Sequence, residues 1–279
     1  PFDIISRETL NYDIFINANM LGKLNPLSPV SIFICHFLDQ ERTRFFQVNR
    51  YDHLVINGDY TGEWVKRRWD MEPTTKLYPP VNMYNPRSNP DDKEKIILSV
   101  SRFEISGSKK QVEMIDTFSE MTRRYPEETS GWRLMLIGGS TPGNTYLADV
   151  DEAIARGHGN IEYKANAAVS EIKDYYRRAS IFWHACGLNE DRPERVEHFG
   201  MTTVEAMQNC CVPIVIDGGG QREIVEHGDS GFRFATLDEL MALSLAVMGD
   251  RYQCRRMAER AYRRSRLFSQ SVFREHLER

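Results

Sequence analysis

Glu197-His198-Phe199-Gly200-Met201-Thr202-Thr203-Val204-Glu205-Ala206-Met207 is the stretch on which the reading of this chain turns. A loop carboxylate runs through Phe-Gly into a segment of helical character. A second carboxylate follows one turn in, and Val212-Pro213-Ile214-Val215-Ile216 then reads as a buried strand. The first N–H groups of a helix lack intrahelical partners and carry partial positive charge. The mouth formed by Phe199, Gly200, Met201 and Thr202 is therefore a seat for a diphosphate. Gly200 lets a ligand approach that backbone closely. Helical side chains lean toward the N-terminus, so Glu205 is expected to reach back to the mouth where Glu197 sits. A carboxylate accepts two hydrogen bonds side by side, which suits the vicinal diol of a ribose or a hexose. Two carboxylates at one phosphate-binding mouth point to a nucleotide-sugar.

The sequence around this stretch alternates between strands and helices. Strands are expected at 96–101, 134–137, 161–163, 181–184 and 212–216, with an edge strand at 232–234. Helices are expected at 110–124, 146–156, 169–178, 221–226 and 237–248. In the first of these, Val112, Ile115, Phe118 and Ser119 share one face. Such alternation predicts an α/β fold with doubly wound parallel sheets, whose ligands sit beyond the C-terminal strand ends.

Before residue 80 the pattern is shorter. Segments 12–17, 30–36 and 54–57 read as strands, Gly22 to Pro29 as a loop, and 40–49 and 60–68 as helices. Residues 84–92 hold two prolines, two asparagines and two aspartates and read as a surface linker.

Four motifs in order resemble the family 4 retaining glycosyltransferases, which have the GT-B fold. Glu197 and Glu205 match that family's Glu-x7-Glu motif. Ser99-Val100-Ser101-Arg102-Phe103 followed by Lys109-Lys110 is similar to its strand, arginine and lysine. Gly218-Gly219-Gly220-Gln221-Arg222-Glu223 is similar to its glycine-rich turn, and Cys35-His36-Phe37 to its N-terminal histidine loop. The resemblance implies two Rossmann-like domains: a partial, truncated acceptor-side domain over 1–79 and a nucleotide-sugar-binding domain over 80–260. A C-terminal helix over 261–279 then returns toward the first domain. The front of the first domain is expected to be missing or reduced.

The same resemblance assigns roles. Arg102 and Lys109 neutralise the departing diphosphate, with the choice of Lys109 over Lys110 open by one residue. Glu205 takes the ribose hydroxyls and Glu197 faces the donor sugar. His36 contacts donor or acceptor, and His184, in Trp183-His184-Ala185-Cys186-Gly187, is a candidate donor contact. The base is expected near 163–166, at Lys164 and Ala165. Without the ordered set, Glu197 and Glu205 would read as a loop acid and a helix N-terminal acid facing the macrodipole. Lys109 and Lys110 would read as a solvated helix start, and either histidine as a satisfied structural residue. Gly218–Gly220 reads mainly as a tight turn from which Gln221 begins a helix.

The 279 residues carry a formal net charge of −4, which argues against general nucleic-acid binding. No apolar run is long enough to span a bilayer. Five cysteines without metal-ligand spacing read as reduced thiols of a cytoplasmic protein. Asp149-Val150-Asp151 looks like a metal motif, yet i and i+2 on a helix do not share a face. No metal is implied, and no motif marks a pyridoxal-phosphate lysine, so no cofactor is expected beyond the donor. Arg255, Arg256, Arg260, Arg263, Arg264 and Arg266 allow peripheral contact with an anionic inner membrane face, although a helix crossing back over the cleft is favoured. The expected function is hexose transfer, with retention, from a nucleotide-diphosphate sugar to a saccharide or lipid-linked acceptor in glycan or polysaccharide biosynthesis. The alternatives are a non-catalytic nucleotide-sugar-binding partner subunit or a sugar-nucleotide epimerase on the same fold.

Overall fold

Parallel strands joined by helices must be covered on both faces, and the chain builds two such sheets. The computed structural model describes residues 4–19, 24–38 and 46–278. The expected loop start at Gly22 and most of the expected helix at 40–49 lie outside the described residues. The end of that helix is a 3-10 turn, Phe46–Arg50. The chain divides into two units, Pro1–Pro80 with Ser271–Arg279, and Val81–Gln270.

The first unit contains α1 (Ile4–Glu8), β1 (Ile14–Asn17), β2 (Val30–Cys35), β3 (His53–Ile56), α2 (Asp59–Trp69) and β4 (Thr75–Lys76). Its strands are all parallel, in the order β1-β2-β3-β4. Phe33, Cys35, Leu54 and Ile56 from the sheet pack with Val65 and Trp69 of α2. Helix α2 carries Asp59 in its first turn and Lys66, Arg67 and Arg68 in its last, which complements the macrodipole at both ends.

The second unit runs β5 (Glu94–Val100), α3 (Gln111–Arg124), β6 (Arg133–Gly138), α4 (Tyr146–Arg156), β7 (Asn160–Ala165) and α5 (Val169–Arg178). It continues with β8 (Ala179–His184), α6 (Met201–Gln208), β9 (Val212–Ile216), α7 (Gln221–Ile224), β10 (Phe232–Phe234), α8 (Leu237–Gly249) and α9 (Arg251–Ser265). A last helix, α10 (Gln270–Leu277), follows a 3-10 turn at Arg266–Phe268, and from Ser271 onward it belongs to the first unit. The six strands are parallel in the order β10-β9-β8-β5-β6-β7. This is the doubly wound order, and the direction of winding reverses between β5 and β8.

Side chains alternate between the two faces of the sheet. Ile97, Leu134, Leu136, Ile181 and Trp183 meet Met114, Phe118, Val150 and Leu240 on one side. Ile96, Leu98, Met135, Ile137 and Phe182 meet Tyr176 and Ala206 on the other. The inner face of α3 differs from the expected one. Gln111, Met114, Ile115, Phe118 and Met121 are buried, whereas Val112 and Ser119 are only half-buried. Lys110, with φ 61, stands outside the helix in the left-handed region. The buried residues then follow the i, i+3, i+4, i+7 stripe from Gln111.

Candidate active site

A winding reversal leaves a crevice between β5 and β8, because the connections from the two strands run to opposite sides. The loop after β5 borders this crevice. Buried Gln111 holds it, its Nε2 donating to Ser101 Oγ and to the Arg102 carbonyl, both at 3.0 Å. Gly138 of β6 presses against it so closely that a Cβ there would lie 1.8 Å from the Ser101 carbonyl oxygen. The Arg102 side chain is exposed and pairs with Glu104 at 2.8 Å. The two lysines part company. Lys110 Nζ lies 3.0 Å from Glu190 Oε1, while Lys109 Nζ donates to Glu197 Oε2 at 3.1 Å and approaches Cys186 Sγ at 3.5 Å.

From β8, His184 reaches the same oxygen, its Nε2 3.2 Å from Glu197 Oε2. His184 is 2% exposed and its Nδ1 has no hydrogen-bond partner among the described residues. Lys109, from the loop after β5, thus meets His184 and Glu197, which lie more than seventy residues further along the chain. Burial pushes the Glu197 carboxyl up, but the His184 imidazole and the Lys109 ammonium outweigh it and hold the group well below the usual carboxylate range. Burial alone would depress the Lys109 ammonium; Glu197 reverses the sign and raises it. Burial pushes the Cys186 thiol up to about 11 and His198 down to about 4, so neither carries charge at neutral pH.

The glycine-rich turn after β9 explains how Glu197 is fixed. Gly220 N–H donates to the Glu197 carbonyl at 2.9 Å. A Cβ on Gly219, whose φ is 57°, would sit 2.1 Å from that same carbonyl oxygen, and one on Gly220 2.4 Å from that of His198. The turn does start α7, as its sequence indicates, but its main contact is with the backbone carrying Glu197. Gly200 caps α6 at φ 114, where a Cβ would meet Gln221 Nε2 at 2.8 Å. Internal packing therefore also calls for glycine there.

Glu205 lies on α6 and accepts a hydrogen bond from the Tyr176 hydroxyl at 2.8 Å. Burial raises its carboxyl above the ordinary value, and Tyr176 offsets part of that rise. Phe199 is buried and Met201 47% exposed, with Thr202 between these extremes. Lys164 and Ala165 end β7; the Lys164 ammonium pairs with Glu171 and lies 5.5 Å from the Tyr175 ring centroid. His36 belongs to the first unit, just past β2. Its side chain is exposed, and its carbonyl accepts bonds from Asn57 and Thr61. Asp149 and Asp151 are exposed on α4 while Val150 between them is buried. A cavity of about 610 Å³, lined in part by Lys95, Trp132, Arg133 and Arg251, opens at the N-terminal strand ends. That is the edge opposite the carboxylates, away from the position where such sheets take ligands.

Tyr176, Gln111, Cys186 and Glu190 carry no motif, and sequence reasoning passed over them. The weak signals were a tyrosine pair ending an amphipathic helix and a glutamine directly after the lysines.

Two parallel-sheet units of this kind define the α/β class of GT-B glycosyltransferases. The chain belongs to the glycosyl transferases group 1 family, whose model matches residues 83–264. Among curated proteins it is similar to the GDP-Man:Man(3)GlcNAc(2)-PP-Dol alpha-1,2-mannosyltransferase of Dictyostelium discoideum, 23% identical over 96% of this chain and 53% of that protein. It is also similar to the alpha-1,3/1,6-mannosyltransferase ALG2 of Rhizomucor pusillus, 24% identical over 82% of this chain and 61% of that protein. The chain thus spans between half and two thirds of the length of these relatives. Among solved structures it is similar to Anabaena HepE in complex with UDP-glucose, with a TM-score of 0.79 at 16% identity, over 98% of this chain and 79% of that one. A glycosyltransferase from Rickettsia africae gives 0.76 at 15% identity, over 99% and 78%.

Proposed function

We propose that the protein transfers a hexose from a nucleoside-diphosphate sugar to a saccharide or lipid-linked acceptor, with retention of anomeric configuration and without a metal ion. The observation that carries this reading is the meeting of Lys109 and His184 on one oxygen of Glu197 beside the α6 mouth. An ammonium has three N–H donors. Lys109 uses one on Glu197 and turns another toward Cys186, which leaves one for a phosphate oxygen. Arg102 supplies a second, exposed cation, and the first N–H groups of α6 supply partial positive charge. Departing diphosphate gathers negative charge in the transition state, so cations fixed in advance lower the barrier.

Glu205 takes the ribose hydroxyls, and Glu197 directs its other oxygen to the sugar. Phe199, Gly200, Met201, Thr202 and His184 line the donor, and Lys164 and Ala165 the base. The names of the relatives support a lipid-linked acceptor: one curated relative is named for a mannose donor with GDP and a dolichol-linked oligosaccharide. The HepE structure contains UDP-glucose, so both bases belong in the test. A cytoplasmic protein in peripheral contact with the membrane face fits such an acceptor. No described helix is long and apolar enough to cross a membrane.

The test is nuclear magnetic resonance of donor consumption with a panel of UDP-, GDP- and ADP-hexoses, with and without chelator. Consumption of one donor class with retained configuration, unchanged by chelator, is expected. Inverted product would contradict retention. Activity lost to chelator and restored by magnesium would contradict the metal-free reading. Binding of donor without any transfer or hydrolysis would indicate a non-catalytic subunit.

A further inference from the structure

We infer that Tyr176 is a positioning residue for Glu205, and through it for the nucleoside half of the donor; the inference rests on the reading that Glu205 takes the ribose hydroxyls. Tyr176 is fully buried in the last turn of α5, two residues before the helix ends at Arg178. Its hydroxyl donates to Glu205 Oε2 at 2.8 Å, with the Thr202 carbonyl a second acceptor at 3.3 Å. A hydrogen bond to a carboxylate is stronger than one to a neutral carbonyl, so the phenolic proton belongs mainly to Glu205. Burial and the neighbouring carboxylate hold the Tyr176 hydroxyl well above its ordinary value, which keeps it a donor. Glu205 Oε1 takes no hydrogen bond from the described residues, and Oε2 retains a second lone pair. Both oxygens of the pinned carboxylate can therefore accept from a diol.

The two helices that carry the pair are clamped from behind. Lys93, just before β5, sends its three ammonium donors to the carbonyls of Tyr176 at 3.1 Å, Arg177 at 2.9 Å and Asn209. Those carbonyls lie at the C-terminal ends of α5 and α6, where the helix dipole favours a cation. Asn209 Nδ2 returns to the Glu205 carbonyl at 2.8 Å. One half-buried ammonium thus ties the helix of the phenol to the helix of the carboxylate. A long glutamate side chain loses rotamer freedom when it binds, and holding it in advance removes that cost from donor binding. The bland reading is that Tyr176 merely fills the core, its ring 6.2 Å from that of Phe182. Tyr176→Phe keeps the ring and removes only the hydroxyl, so it separates the two readings.

The experiment is calorimetry with UDP and GDP, using whichever binds the wild-type chain more tightly, on Tyr176→Phe, Glu205→Gln and the double variant. Donor KM and kcat are measured on the same proteins. Tyr176→Phe is expected to weaken binding about tenfold, the usual loss of one charge-assisted hydrogen bond, and to raise donor KM while sparing kcat. In the Glu205→Gln background it is expected to add nothing. Unchanged affinity in Tyr176→Phe, beside a weakened Glu205→Gln, would overturn the positioning role and leave the donor site intact. An equal loss in both backgrounds would overturn it in favour of general packing. An unaffected Glu205→Gln would instead overturn the assignment of Glu205 to the ribose, and the inference with it.

Discussion

The pairing of Lys109 with Glu197, and of Lys110 with Glu190, sets neighbouring lysines to different tasks. Lys109→Met should weaken nucleoside-diphosphate binding by about 1.5–3 kcal/mol, the scale of one hydrogen bond to a charged group. Lys110→Met should leave affinity within a few tenths of a kcal/mol, since its partner lies elsewhere; calorimetry with UDP and GDP checks both. Sequence left this choice open because adjacent residues in a loop have no periodicity to separate them. Glu197 also has a signature in pH. Its folded carboxyl titrates well below the ordinary glutamate value of 4.5, so it contributes stability above that pH, and the contribution fades as pH falls. Glu197→Gln should therefore lower the Tm at pH 7, and its deficit against the wild-type chain should shrink as pH falls below 4.5. Thermal melts at both ends of this range check it; a deficit that widens with acid would contradict the ion-pair account.

Among the elements, the glycine-rich turn after β9 has the clearest consequence. Gly219→Ala puts a Cβ against the Glu197 carbonyl in a left-handed backbone, whereas Gly218→Ala meets only Val196 Cγ1 at 3.8 Å. The first should cost about 1–2 kcal/mol for the backbone alone and depress turnover by moving Glu197. The second should be nearly silent; melting and donor turnover of the two variants check the contrast. Sequence reading identified this turn but not its contact, because contact between residues 197 and 219 depends on how β8 and β9 pack side by side. It identified elements best where periodicity was strong: α5 at 169–178, β9 at 212–216 and β10 at 232–234 coincide with the expected bounds. It found Ile115 and Phe118 on the inner face of α3 but missed buried Gln111 and the flexible Met114 and Met121, which replace the branched residues that usually mark such a stripe. Tyr176 stayed invisible for a related reason, since a buried hydroxyl is indistinguishable in sequence from an ordinary core tyrosine.

At the scale of the whole molecule, alternating strands and helices made the α/β class legible. The strand order was not, because spacing alone does not say that β8 pairs with β5. That pairing brings the ends of β5 and β8 together, and with them the cations and carboxylates of the second unit. On the proposed function, that unit holds one donor site, divided between a carboxylate for the nucleoside and a carboxylate for the sugar. Calorimetry of Glu205→Gln and Glu197→Gln, each with a nucleoside diphosphate and with its sugar conjugate, tests this most directly. On the proposed assignment Glu205 contacts what both ligands share, so its loss should weaken both alike, by about 1–3 kcal/mol. Glu197→Gln should spare the bare diphosphate and weaken the conjugate, or slow transfer where its contact strengthens only in the transition state. Equal losses for both ligands in Glu197→Gln would place that residue on the nucleotide and contradict the division.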